Sequence, residues 1–133
     1  VYKRQTIGYP VVPIIKEILK DYRKNISAII HCTGGGQTKV LHFTKKNRII
    51  KDNLFDIPEV FNIIKSESGC SYEEMYNVFN MGHRMEIYCD KEYADEIIEI
   101  SKKYNVDAKV IGRVESSDKK ELIIDNNEET IYY

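Results

Sequence analysis

The sequence predicts an α+β domain in which a mixed β-sheet packs against helices. Apolar β-branched segments such as Ile26–Cys32 alternate with amphipathic helical segments such as Lys91–Tyr104. Strand, helix, strand recurs without the strict alternation that an all-parallel sheet requires. Length agrees with this reading, because 133 residues suffice for a single core.

Val11, Ile14, Ile15, Ile18 and Leu19 share one helical face, and Pro10 and Pro13 suit a first turn, so a helix to about Arg23 is expected. Ile26–Cys32 (ISAIIHC) reads as a buried strand ended abruptly by Thr33–Gly36. Gln37–Phe43 fits either a helical turn or an extended piece, and Arg48–Lys51 a strand. Pro58 opens a helix whose Val60, Phe61, Ile63 and Ile64 are expected to face the core, with Gly69 as its stop. Ser71 and Glu74 form a capping box for a short helix through Tyr76 and Val78. Arg84–Cys89 and Asp107–Val114 read as strands on either side of the Lys91–Tyr104 helix. Leu122–Ile124 is expected to pair with Thr130–Tyr132 across Asn126-Asn127.

Composition narrows the function classes. The net charge of −1, with both signs scattered along the chain, leaves no basic stripe for nucleic acid and no polybasic arm for a membrane. No apolar run approaches the ~20 residues of a membrane span. Three widely spaced cysteines, Cys32, Cys70 and Cys89, suggest neither a disulfide framework nor a zinc site; no metal site is expected, and a cytoplasmic location fits. Val1–Gln5 (VYKRQ) resembles translated adapter sequence and is read as a non-native leader. The domain proper is expected over 6–133, truncated at its amino end.

Two motifs carry chemistry. His31-Cys32-Thr33-Gly34-Gly35-Gly36 follows a buried strand, and a glycine run there can aim successive backbone N–H groups at one oxyanion. Thr33 adds a hydroxyl, Lys39 a positive charge, and His31 an imidazole at the strand's carboxyl end. The competing reading is a tight loop selected only for its dihedrals. Phe79-Asn80-Met81-Gly82 is the second motif: Asn80 suits a turn and Gly82 permits close approach, or the segment is merely a connector.

Taken in order, HCTGGG (His31–Gly36), IIKD (Ile49–Asp52), PEVF (Pro58–Phe61), EEMYNVFNMG (Glu73–Gly82) and KVIGRVE (Lys109–Glu115) resemble the carboxy-terminal domain of aminoimidazole ribonucleotide synthetase, also called phosphoribosylformylglycinamidine cyclo-ligase. The resemblance implies part of an ATP-dependent ligase that closes the imidazole ring of formylglycinamidine ribonucleotide in purine biosynthesis. It implies ATP and Mg2+ held mainly by an amino-terminal domain, and a homodimer for the full-length protein. His31, Thr33, Gly34, Gly35, Gly36, Asn80 and Gly82 become the substrate- or phosphate-binding candidates, His31 and Asn80 as orienting rather than acid–base groups; no catalytic acid or base is assigned. The chain departs from the family pattern at Gln37, Thr38 and Lys39, where Glu-Asn and Pro-Arg are common, and at Arg84, where glycine is common. Roles for Gln37, Lys39, His83 and Arg84 are therefore not carried over. Alternatives are another enzyme of that superfamily (formylglycinamidine ribonucleotide synthetase, selenophosphate synthetase or thiamine-phosphate kinase) or a non-catalytic phosphate- or nucleotide-binding module.

Overall fold

The structure, a computed structural model, describes residues 11–133; Val1–Gln5, read above as a leader, and Pro10 lie outside the described residues. The elements are mixed α and β, as the sequence predicts: helices α1 (Val11–Tyr22), α2 (Glu59–Ser68), α3 (Tyr72–Val78) and α4 (Ala94–Lys103), with strands β1 (Ile26–His31), β2 (Asn47–Lys51), β3 (Met85–Cys89), β4 (Gly112–Ser116), β5 (Glu121–Asp125) and β6 (Thr130–Tyr132). Short 3-10 helices cover Arg23–Asn25, Gly36–His42 and Lys91–Tyr93. β1 pairs with β3, and a second sheet has the order β4-β2-β5-β6. The chain forms two compact units.

The first unit takes in α1, α4 and the adjoining halves of β1 and β3, up to Ile29 and over Ile87–Val110. Its core is Ile14 and Ile18 of α1 against Ile97 and Ile100 of α4, the faces that the helical spacing selects. Tyr22 and Tyr93 pack beside it in a tilted pair, 5.8 Å between ring centroids. Glu17 accepts from Lys103 Nζ and from Tyr104 Oη, both at 2.8 Å, and these donors hold its carboxyl below the usual range. Asn105 ends the helical segment at φ +54°, the left-handed turn expected of it.

The second unit, Ile30–Glu86 with Ile111–Tyr133, holds the mixed sheet and both motifs. β2 runs antiparallel to β4 and parallel to β5, while β5 and β6 form the expected hairpin, pairing Ile124 with Ile131. Asn126 Oδ1 caps its turn by accepting from the Glu128 and Glu129 amides. One face of this sheet buries Ile49, Leu122, Ile124 and Ile131. The 3-10 helix packs against α3, and both supply buried apolar groups: Val40, Met75 and Tyr76. The Ser71–Glu74 capping box is present in both directions, at 3.2 and 3.0 Å, and stabilises the start of α3 by about 1 kcal/mol.

Two expectations need correction. α2 buries no residue fully: Val60 and Ile63 are 45% and 55% exposed, and only Phe61 and Ile64 turn inward, with Phe61 meeting the Phe79 ring at 5.7 Å. Helical spacing identifies an apolar stripe but not whether a neighbour covers its full width. The strand expected over Asp107–Val114 instead begins at Gly112 and runs to Ser116, because β4 is defined by pairing with β2, whose register matches Lys51 with Gly112. Asp52 and Asn53 both donate to Ile111 O just before that ladder begins.

Candidate functional site

The glycine run forms a left-handed bend. Gly34, Gly35 and Gly36 have φ of +60°, +97° and +47°, values that cost an L side chain roughly 1–2 kcal/mol each. The three positions nevertheless differ. A Cβ on Gly34 would meet open space, and the residue is exposed. Gly36 is buried, and a Cβ there would collide with the carbonyl oxygens of Tyr76 and Phe79 at the end of α3. Gly36 is thus fixed by close packing, whereas no packing contact requires glycine at Gly34.

The backbone donors divide differently. Thr33 N donates to His31 O at 2.8 Å, and Thr38 N to Gly35 O at 3.0 Å. Among the described residues no hydrogen bond engages the amides of Gly34, Gly35 or Gly36. Side chains gather around this bend. Thr33 Oγ1 lies 3.3 Å from His31 Nδ1, and Lys39 Nζ donates to Thr33 O at 2.7 Å from the exposed side. Cys32, immediately before the loop, is buried, and desolvation, with Glu86 nearby, pushes its thiol up to about 12, so it is not a ready nucleophile.

The second motif is organised differently. Asn80 Oδ1 accepts from Gly82 N at 3.0 Å, closing a local turn, while Asn80 O accepts from His83 N at 3.0 Å. Met81 is buried at φ +50°. Gly82, at φ +98°, presses against the Pro58 ring, 2.9 Å from where a Cβ would stand. His83 is buried against Phe55 and accepts from its amide at 3.3 Å. These groups are occupied in shaping the turn.

Between the motifs lies a cluster that the sequence reading missed. Lys51 and Glu86 are buried, 1% and 5% exposed, and form an ion pair at 2.5 Å. Lys51 Nζ also donates to Gln37 O and Gln37 Oε1, both at 2.9 Å, which uses all three ammonium protons. Buried Gln37 then donates through Nε2 to Asn80 O at 2.7 Å. The available signal was Lys51 itself, a charge on the same strand face as Ile49, opposite Ile124.

Among the described residues no group of three His, Cys, Asp or Glu side chains is placed to hold a metal ion. No helix among them is long and apolar enough to cross a membrane.

Residues 9–125 match the family described as AIR synthase related protein, C-terminal domain. Among curated proteins, the phosphoribosylformylglycinamidine cyclo-ligase of a Methanococcus maripaludis strain is 37% identical over 108 residues, covering 81% of this chain and 29% of that protein. The Methanocaldococcus jannaschii protein of the same name is 35% identical, covering 80% and 30%. The one from Staphylococcus carnosus is 30% identical, covering 83% and 31%. The chain therefore spans about 30% of the length of these relatives. Among solved structures, Escherichia coli HypE, a hydrogenase maturation protein, superposes with a TM-score of 0.64 at 20% identity, covering 92% of this chain and 38% of that one. HypE in a HypE–HypF complex gives 0.63 at 21% identity, covering 93% and 43%. At such identities the likeness concerns the fold alone.

Proposed function

Because the chain belongs to the family of the AIR synthase related protein C-terminal domain, we propose that it is the carboxy-terminal part of an ATP-dependent cyclo-ligase that converts formylglycinamidine ribonucleotide to aminoimidazole ribonucleotide. In that reaction the formyl oxygen takes the γ-phosphoryl group of ATP, releasing ADP. The amidine nitrogen then attacks the activated carbon, and phosphate leaves as the imidazole ring closes. ATP and Mg2+ are assigned to the remainder of the enzyme.

The part taken by this chain is to hold a phosphate group of the substrate. One observation carries that reading: three successive amides, Gly34 to Gly36, lack a protein acceptor among the described residues. Backbone donors in a bend suit an anion because they bring positive potential without side-chain desolvation. The Lys39 ammonium and the Thr33 hydroxyl stand at the same bend and add one charge and one further donor. His31, within reach of Thr33 Oγ1, orients that hydroxyl. Asn80, linked to the bend through Gln37 Nε2, and Gly82 are assigned to shaping the neighbouring turn rather than to touching the ligand. Full-length protein is proposed to be a homodimer in the cytoplasm, with light scattering as the check on its state.

A heteronuclear NMR titration of this chain with inorganic phosphate tests the reading. The Gly34, Gly35 and Gly36 amides are expected to shift together and saturably, with Gly82 unmoved. Shifts confined to other residues would sink it. The chain alone is expected to show no cyclisation, and turnover by it would overturn the division of labour.

A further inference from the structure

The buried Lys51–Glu86 pair has no role in the chemistry just described, and stability is a weak reason for it. Removing two charges from water costs several kcal/mol per ion, and well-packed apolar replacements are often as stable or more so. What apolar replacements would not supply is a donor at a fixed point. The ammonium of Lys51 reaches from the end of β2 to the backbone carbonyl and side-chain oxygen of Gln37, the residue directly after Gly36. Glu86, at the start of β3, neutralises that ammonium. Gln37 passes the constraint on to Asn80 O in the second turn. Lys51 and Glu86 thus clamp the residue that follows the bend to two different strands.

We propose that Lys51 and Glu86 are a positioning pair that sets the conformation of the Gly34–Gly36 bend, with Gln37 as the coupling to the Asn80 turn. The ligand consequence rests on the phosphate reading above; the conformational consequence does not. A bend whose following residue is pinned keeps its three amides aimed before any anion arrives. Preorganised donors lose no affinity to ordering.

Each single substitution strands a buried charge and tests folding rather than positioning, so the informative variant is Lys51→Met with Glu86→Leu. Its first readout is ligand-free amide exchange. The Thr38 amide, bonded to Gly35 O, reports the bend; the Ile124 amide in β5 reports the sheet. Exchange at Thr38 is expected to quicken by about tenfold or more while Ile124 keeps its protection, on the scale of one lost charged hydrogen bond. Unchanged exchange at Thr38 overturns the proposal. So does loss of protection at both sites, which would make the pair a general requirement for folding.

A second variant, Gln37→Met, leaves the ion pair and cuts the bond to Asn80 O. Faster exchange at His83, whose amide bonds to that same carbonyl, is expected; no change there removes Gln37 from its coupling role. The ligand arm is separate. Inorganic phosphate should bind the double variant about tenfold more weakly than the unaltered chain. If the unaltered chain shows no phosphate shifts at Gly34–Gly36, the phosphate reading fails, and the exchange result still decides the positioning pair.

Discussion

The molecule contains two glycine-bearing turns that look alike as text and differ as chemistry. In the Asn80–Gly82 turn the polar groups are consumed internally: the Asn80 side chain closes on Gly82 N, and its carbonyl accepts from His83 N and Gln37 Nε2. In the Gly34–Gly36 bend the three amides have no protein acceptor among the described residues, while the Thr33 carbonyl before the bend and the Gly35 carbonyl within it are held by Lys39 and Thr38. The first is a finished structural element. The second keeps three donors without a protein acceptor among the described residues, the feature on which the proposed phosphate reading rests.

Substitutions can break or sharpen that contrast. The largest effect is expected at Gly36, where alanine would add left-handed strain to a collision with the Tyr76 and Phe79 carbonyls. Urea unfolding should show a loss of about 3 kcal/mol or more. A loss below about 1 kcal/mol would mean that α3 can move away from the bend.

Gly82→Ala is expected to cost about 1–3 kcal/mol, because φ is +98° but the obstructing Pro58 ring can shift. It should leave phosphate binding unchanged. Gly34→Ala should show the reverse: a stability loss of only about 1–2 kcal/mol, since the new methyl meets open space, with weakened phosphate shifts at the bend. Equal effects of the two variants on binding would erase the distinction between the turns.

The smallest effect concerns Cys32. Its thiol, buried just before the bend, is pushed up to about 12 by desolvation and so stays protonated at pH 8. Iodoacetamide at that pH should alkylate the partly exposed Cys70 while sparing Cys32. Because the shift is upward, the protection should fade only as pH rises toward that value, and rapid labelling of Cys32 at pH 8 would show that the bend opens.

Most of the elements could be read from local pattern. Ile14, Ile18, Ile97 and Ile100 repeat at helical spacing and form the first unit's core, and Ser71 with Glu74 starts α3 as a capping box should. These signals lie within a few residues of one another, so the chain carries them before it folds. The extent of β4 was not legible in this way, because a strand's ends depend on its partner, here β2 from Asn47 to Lys51. The exposure of Val60 and Ile63 likewise reflects what packs nearby rather than their own sequence.

The glycine bend and the Asn80 turn were both visible as motifs, and their order along the chain pointed to the family. Their difference was not visible. Glycine spacing states that the backbone must bend, but whether an amide is left open depends on which carbonyls arrive from elsewhere. Only the fold brings Lys51, Gln37 and Glu86 to one buried point beside Asn80, because those three lie 14 to 49 positions apart and share no local pattern. Burial then converts scattered polar side chains into a connected network, since a charge removed from water must find its partners inside the protein.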